Sequence, residues 1–352
     1  MPELRQLTGA RGVAAWAVVL YHVRLSVLGL PPPVVAVLAK GYLAVDFFFL
    51  LSGFVIWLAW HDRAAASPLR FWQKRVARIW PLHAAMLAFA ALLAIVLALR
   101  GPTDSAFPWP ALPLHLLLVQ AWGSAATLRW NIPAWSISAE LAAYLLFPLL
   151  TRLVNRRRWP APALLFAAAA ILAILPLAMG FGSLGRDIGR FGVLRCLCEF
   201  TAGTIIATLY RRGGGARAPL AVGLICLVAW SLGAPETLAV PLAFAALLLA
   251  LARSRAVLLA SRPVHWLGSI SYATYLAHFL LWKAMRLPLA PGPQHWTVIA
   301  AYLLLVLFAS HLLYRWLELP AQRWINGLAL PRRNVRVAQA LPGDGHQTRL
   351  LG

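Results

Sequence analysis

The sequence predicts an all-α polytopic membrane protein. Apolar residues make up 61% of its 352 residues and charged residues only 12%, about half the charged fraction of a typical soluble domain. Several windows of about 20 residues lack ionisable groups, which is long enough for a helix to cross a hydrocarbon core of about 30 Å. A membrane β-barrel would show short segments of alternating polarity instead.

The apolar runs predict about ten transmembrane helices. Residues 109–122 are ambiguous, because their apolar core is short and interrupted by prolines. Counting them as an eleventh span would place Arg152 and residues 156–158 outside, so charge bias favours a re-entrant or outer-surface segment. The ten predicted spans are 12–28, 41–60, 81–99, 135–150, 161–179, 193–210, 220–232, 238–251, 266–285 and 296–317.

The net charge of +22 comes from basic residues that fall between these spans. This distribution fits the positive-inside rule and places both termini in the cytoplasm, so the charge does not indicate nucleic-acid binding. Basic residues before the first apolar run resemble a signal peptide, but no small-residue cleavage site follows, and we expect a retained first helix. We expect a membrane domain over 1–328 and a basic, disordered cytoplasmic tail over 329–352.

Three cysteines, Cys196, Cys198 and Cys226, lie in apolar segments. The spacing of the first two fits neither a zinc knuckle nor a redox CxxC pair. We therefore interpret all three as packing residues and predict neither a metal site nor a disulfide.

Arg11 and His22 are the first candidate site residues. They are eleven residues apart, about three helical turns and 16 Å of rise, so they return to nearly the same helix face. If the helix enters the bilayer at Arg11, His22 lies near its middle. An ionisable residue at that depth is costly, and it indicates a functional site unless it is a polar pair that fixes helix register.

A second candidate face carries Ser136, Glu140 and Tyr144, which are spaced by four residues. The Glu140 carboxylate could orient or charge-balance an imidazole, or the three side chains could form a hydrogen-bonded packing cluster.

Basic residues precede the third predicted span. Lys74, Arg75 and Arg78 lie together there, and arginine guanidinium groups bind phosphate well. The positive-inside rule alone would also explain these basic residues.

Ser271, Tyr275 and His278 share a face of the ninth predicted span. They could line a polar cavity or bind across helices. Asp46, in the second span, is expected to cap or pair locally. For Glu199 and His311, which lie in predicted spans, the sequence indicates burial and no specific role.

Together these motifs resemble the bacterial acyltransferase-3 family of integral-membrane O-acyltransferases. The Arg-x10-His element is Arg11 to His22, inside Thr8-Gly9-Ala10-Arg11-Gly12, where the usual opening has an acidic residue before the glycine. The other family elements follow in order at Gly41–Phe54, Arg75–Pro81, Trp135–Glu140, Ser271–His278 and Glu318–Pro320. They extend across almost the whole membrane region, and the resemblance implies a stand-alone form without a soluble C-terminal domain.

The resemblance implies transfer of an acyl group, commonly acetyl, from cytoplasmic acyl-CoA to a hydroxyl at the bacterial inner membrane. The acceptor would be a glycan, a glycolipid or surface polysaccharide, or a small natural product. His22 would be a general base or a transient acyl carrier, with Glu140 as a supporting carboxylate. Arg11, Arg75 and Arg78 would hold the phosphates of CoA. Residues expected to contact substrate are Trp135, Ser136, Tyr144, Tyr275 and His278.

The main alternative is a multi-pass transporter or flippase, in which buried histidines and carboxylates form a proton relay or substrate path. A group of arginines opposite a buried histidine favours the acyltransferase. The sequence carries no signal for an oligomeric state.

Overall fold

The computed structural model describes residues 3–101, 105–124, 127–155 and 159–329. This part of the chain is helix and loop throughout, with a single isolated β-bridge between Val27 and Gln294. All of the predicted tail except Ala329 lies outside the described residues. The helices are α1 Arg5–Val23, α2 Pro32–Leu38, α3 Ala44–Trp60, α4 Pro68–Ala98, α5 Leu112–Leu116, α6 Trp135–Asn155, α7 Ala161–Met179, α8 Ile188–Arg211, α9 Arg217–Ser231, α10 Glu236–Arg253, α11 Val257–Ala260, α12 Arg262–Met285, α13 Trp296–Leu313 and α14 Leu319–Gly327.

The all-α polytopic fold is confirmed, and each of the ten predicted spans falls on a helix. In the described ranges, seven segments are long and apolar enough to cross a membrane. Spans predicted on α1, α9 and α12 are not among them: α9 has 15 residues, and α1 and α12 carry several polar side chains. The count of ten and the side of the termini stay predictions. The seven segments are Pro32–Trp60, Pro68–Ala98, Ile132–Arg152, Ala161–Met179, Ile188–Arg211, Glu236–Arg253 and Trp296–Gly327.

Two helices begin earlier than predicted. Helix α1 starts at Arg5, so Arg11 lies inside the helix rather than at its boundary. Helix α4 starts at Pro68 and contains Pro81 in its interior. Proline suits the first turn because its missing N–H would be unpaired there. The basic residues before Pro81 therefore lie on three turns of continuous helix, and Pro81 does not start it.

Two helix pairs organise the bundle. Helices α1 and α12 run in parallel, with Arg11 against Ser271 and His22 against His278. Their backbones approach closely at Gly12, where a Cβ would lie 2.6 Å from the Gly268 nitrogen. Helices α3 and α8 also run in parallel, with Gly53 of α3 facing the carbonyl oxygen of Phe200 on α8. Glycine permits such close helix crossings in membranes.

Residues 109–122 form a short turn and the five-residue helix α5. Five helical residues rise about 7.5 Å, so this segment does not span the membrane. It packs against the middle of α4, where His83 Nε2 lies 2.7 Å from the carbonyl oxygen of His115. The prediction of a non-spanning segment is confirmed.

Candidate active site

A cavity of about 1160 Å³ lies between the α1/α12 and α3/α8 pairs, with α4 and α6 completing its wall. Typical ligand pockets measure about 300–1,000 Å³, so this cavity can hold a large ligand. Arginines outnumber carboxylates in the lining, which favours a ligand with several negative charges. The charged lining residues are Arg11, Arg63, Arg75, Arg78, Arg211, Arg253, Glu3 and Glu140.

The cavity brings together most of the predicted site residues. Seven line it: Arg11, Arg75, Arg78, Ser136, Glu140, Tyr144 and Tyr275. Trp135, His22 and His278 are absent from the lining. Three lining arginines, Arg63, Arg211 and Arg253, were interpreted from the sequence as topology signals alone. All three lie outside the motifs, and helix packing brings them to the cavity.

Arg11 is already bonded to protein. Its Nε donates to Ser271 Oγ at 2.9 Å, and its Nη2 donates to the carbonyl oxygen of Gly268 at 2.8 Å. Arg11 therefore fastens α1 to α12, and only part of its guanidinium group remains for a ligand.

Arg78 and Arg75 differ in their partners. Arg78 forms an ion pair with the buried carboxylate of Glu318, and its guanidinium lies 5.2 Å from the Tyr272 ring centroid. The guanidinium of Arg75 lies 5.9 Å from the ring centroids of both Phe71 and Tyr144. Arg75 Nε is buried and has no hydrogen-bond partner among the described residues. Of the three predicted phosphate ligands, Arg75 has the most donor capacity left for an anion.

Glu140 belongs to a polar cluster on the cavity wall. Its Oε1 accepts a hydrogen bond from Ser52 Oγ, and Ser52 Oγ lies 3.4 Å from the Tyr144 hydroxyl. The described residues contain no hydrogen bond between this carboxylate and the His22 imidazole, so Glu140 does not orient that ring by direct contact, and the contacts are those of the hydrogen-bonded cluster given as the alternative. Glu140 projects from α6 toward α3, whereas His22 faces α12.

Tyr275 closes the cavity on its α12 side. Its hydroxyl lies 2.8 Å from Ser136 Oγ and donates to the carbonyl oxygen of Pro133 at 3.1 Å. The His278 ring is next along α12, with its centroid 6.1 Å from that of Tyr275.

The His22 and His278 rings face each other behind Tyr275. His278 Nε2 lies 3.2 Å from His22 Nδ1, and the ring centroids are 4.9 Å apart. The His22 ring also contacts Phe279, at a centroid distance of 5.7 Å.

A second cavity of about 410 Å³ begins at Phe279. Its lining is Leu97, Phe279, Trp282, Lys283, Arg286 and Leu287. Tyr275 and Phe279 are four residues apart on α12, so about one helical turn separates the two cavities. The two histidines therefore lie between them.

Trp135 packs away from both cavities. It is 5% exposed, and its ring lies 5.9 Å from the Phe49 ring and 5.5 Å from the guanidinium carbon of Arg195. A substrate in either cavity would not touch it.

Arg195 was not among the residues predicted from the sequence. It is fully buried on α8 and forms a two-point ion pair with Asp46, with Nε–Oδ1 and Nη2–Oδ2 distances of 2.5 and 2.6 Å. Its Nη1 donates to the carbonyl oxygen of Leu184 at 2.8 Å. Asp46 was expected to cap or pair locally. That prediction is wrong, because Asp46 pairs with a residue of a distant helix.

Sequence comparison shows which family the chain belongs to. The model of the acyltransferase domain Acyl_transf_3 matches residues 4–315. This chain belongs to the acyltransferase-3 family. It is therefore an acyltransferase and a multi-pass membrane protein, and the matched region includes the histidine pair and, apart from Glu3, every residue assigned above to the two cavities.

Named relatives of this acyltransferase fit the same family. Acyltransferase MdmB of Streptomyces mycarofaciens is 32% identical over 312 residues, covering 79% of each chain. The exopolysaccharide production protein ExoZ of Rhizobium meliloti (strain 1021) is 29% identical over 55% of this chain and 57% of its own. The putative membrane-bound transacylase BcsY of Komagataeibacter xylinus is 25% identical over 94% of this chain and 86% of its own. No solved structure gives a significant match to the chain.

Proposed function

We propose that this acyltransferase moves an acyl group from acyl-CoA, with acetyl-CoA as the first donor to test, to a hydroxyl of a glycan, a glycolipid or a small natural product. The observation that carries the proposal is the arginine-lined cavity that ends at Tyr275, beside the His22–His278 pair. The nucleotide part of CoA carries several phosphate charges, and guanidinium groups bind phosphates through paired hydrogen bonds.

The donor would lie with its phosphates among the arginines and its thioester toward Tyr275. Arg75 is the strongest phosphate ligand in this proposal, because it lines the cavity and, unlike Arg78, forms no ion pair with a carboxylate among the described residues. The acceptor would approach through the second cavity, where the Phe279 and Trp282 rings provide apolar faces and Lys283 and Arg286 provide positive charge. Aromatic faces suit the apolar faces of sugars, and each substrate would keep its own route to His22.

His22 would take the proton of the acceptor hydroxyl as its oxygen attacks the thioester carbonyl carbon. An imidazole is suited to this at neutral pH, because its ordinary pKa is about 6.5. Collapse of the tetrahedral intermediate breaks the carbon–sulfur bond, and the thiolate recovers the proton from His22. The products are the acyl ester and free CoA thiol.

The excess of Lys and Arg between the spans supports a cytoplasmic position for the arginine-lined cavity. The acyl donor would then enter from the cytoplasm of a bacterium, across its inner membrane.

Binding of radiolabelled acetyl-CoA to the purified protein in lipid nanodiscs tests the donor. We expect unlabelled CoA to compete and pantetheine, which lacks the nucleotide phosphates, to compete weakly. Arg75→Gln should weaken binding. Arg129→Gln is the matched control, because Arg129 lies on a loop outside both cavities. Equal competition by CoA and pantetheine would contradict phosphate recognition.

Mass spectrometry identifies the acceptor. Surface glycans, lipids and secreted metabolites from cells with the wild-type chain should contain an acylated species that is missing with His22→Ala. An unchanged set of acylated products, with normal levels of the variant protein in the membrane, would contradict the proposed activity.

A further inference from the structure

The hydrogen bonds around the two histidines determine which ring nitrogens carry protons. His22 Nδ1 lies 2.9 Å from the carbonyl oxygen of Val18, and His278 Nδ1 lies 3.1 Å from the carbonyl oxygen of Thr274. A carbonyl oxygen only accepts hydrogen bonds. Each Nδ1 must therefore carry a hydrogen to satisfy its neighbour.

The contact between the rings completes the assignment. A neutral imidazole with hydrogen on Nδ1 has a bare Nε2 that accepts. His278 Nε2 is therefore an acceptor, and it lies 3.2 Å from the Nδ1–H of His22. The hydrogen on His22 Nδ1 is shared between Val18 and His278. A hydrogen on His278 Nε2 would need a bare His22 Nδ1, which would place two lone pairs together at the Val18 carbonyl.

His22 Nε2 is the ring nitrogen left over. It makes no hydrogen bond within the described residues and carries a lone pair in this tautomer. When Nε2 takes a proton, the charge spreads over the ring to Nδ1–H, which already has two acceptors. A neutral His278 thus stabilises the imidazolium without placing a permanent charge in the membrane interior.

The backbone of His278 is fixed independently. The Tyr302 hydroxyl donates to the carbonyl oxygen of His278 at 2.9 Å, and the His278 side chain is fully buried. The position of the His278 backbone on α12 is therefore also held by α13.

We infer that His278 is a positioning residue that, together with the Val18 carbonyl, holds His22 in the Nδ1–H tautomer, so that Nε2 of His22 is the reacting nitrogen. This inference rests on the proposed function only for the role of His22 in acyl transfer. In that step the acceptor hydroxyl gives its proton to Nε2 while its oxygen bonds to the thioester carbon, and the departing thiolate takes the proton back. The substrate contact predicted for His278 is replaced by a contact with His22.

Solid-state NMR of ¹⁵N-histidine protein in lipid at about pH 8 tests the tautomer without any substrate. The His22 signals are assigned by their loss in His22→Asn. We expect a protonated Nδ1 and a bare Nε2 in wild type and the wild-type pattern in His278→Gln, whose amide oxygen accepts. In His278→Leu only the Val18 carbonyl still accepts from Nδ1, so we expect the Nε2–H tautomer to gain part of the population. A protonated Nε2 in wild-type His22, or an unchanged tautomer in His278→Leu, would overturn the inference.

Kinetics then separate positioning from mere packing. His278→Leu should lower kcat about 10- to 100-fold, the loss expected for one hydrogen bond to a charged group, with KM for acyl-CoA unchanged. His278→Gln should recover most of kcat, and His311→Leu, a histidine exchange on α13 away from the pair, should leave both constants unchanged. Equal losses in the Leu and Gln variants would overturn the positioning role. If no variant or wild type transfers acyl groups while the NMR result holds, the proposed function fails and the tautomer assignment stands.

Discussion

The Asp46–Arg195 pair and the His22–His278 pair both join distant helices inside the bundle, but they differ in what remains unbonded. Arg195 uses Nε and Nη2 on Asp46 and Nη1 on Leu184. His22 leaves Nε2 without a partner among the described residues. A buried charge that is fully partnered contributes to structure, whereas a buried ring with one open nitrogen is available for chemistry.

His22→Ala should have the largest effect on activity. We expect acyl transfer to fall about 10²- to 10⁴-fold, the usual contribution of a positioned acid or base, while the thermal unfolding temperature stays near that of wild type. Activity is measured as CoA release in the presence of acceptor. Equal activity in His22→Ala and in the control His311→Ala would show that the open nitrogen is not used.

Asp46→Leu should have the largest effect on stability. Removing one partner of a buried ion pair costs about 3–5 kcal/mol, because it leaves the other charge uncompensated. The double variant Asp46→Leu/Arg195→Met should recover much of that loss, as measured by thermal unfolding in detergent. If the double variant is no more stable than the single one, the pair is not the structural element described here.

Arg75→Gln and Arg11→Gln compare an arginine with an unpartnered nitrogen to one that is bonded to protein. Arg75→Gln should raise KM for acyl-CoA about 10- to 100-fold, from the loss of a charged hydrogen bond, with unchanged unfolding temperature. Arg11→Gln should also lower the unfolding temperature, because Arg11 binds Gly268 and Ser271 on α12. Identical behaviour of the two variants would remove this distinction.

Glu3→Gln should have the smallest effect, since Glu3 pairs with His265 at the protein surface. The hydrogen bond with His265 lowers the pKa of the Glu3 carboxyl below its ordinary value. Its stabilisation is therefore present above the unfolded-state pKa and is lost as pH falls through the lower folded-state value. Exposed pairs contribute about 0–1 kcal/mol. Unfolding temperatures of wild type and Glu3→Gln should differ slightly at pH 6 and converge as the pH falls through the range in which folded-state Glu3 becomes protonated.

The sequence predicts the parts of this site that lie on single helices. The face of Ser136, Glu140 and Tyr144 follows from a spacing of four, and all three line the cavity. Long apolar runs place the helices because the bilayer sets their length. The ends of the helices are predicted less accurately. The third span was predicted to begin at Pro81, but α4 begins at Pro68 and its basic residues are helical.

The contacts between helices could not be predicted from the sequence. Nothing in the local pattern indicates that Glu140 bonds Ser52, or that Asp46 pairs with Arg195 across 149 positions. Arg195 was overlooked because one arginine in an apolar run resembles a boundary. The histidine pair needs the close approach of α1 and α12, which depends on backbone contact at Gly12 and Gly268.

The parallel α1/α12 pair also has a consequence for biosynthesis. Helix α1 is made before α12, and Gly268, Ser271 and His278, the partners of its glycine, arginine and histidine, follow more than 250 positions later. At synthesis rates of about 5–20 residues per second, α1 waits roughly 13–50 s for them. During that interval Arg11 and His22 lack their α12 partners, so a chain that ends before α12 has no assembled site and leaves the arginine and the histidine of α1 without those contacts.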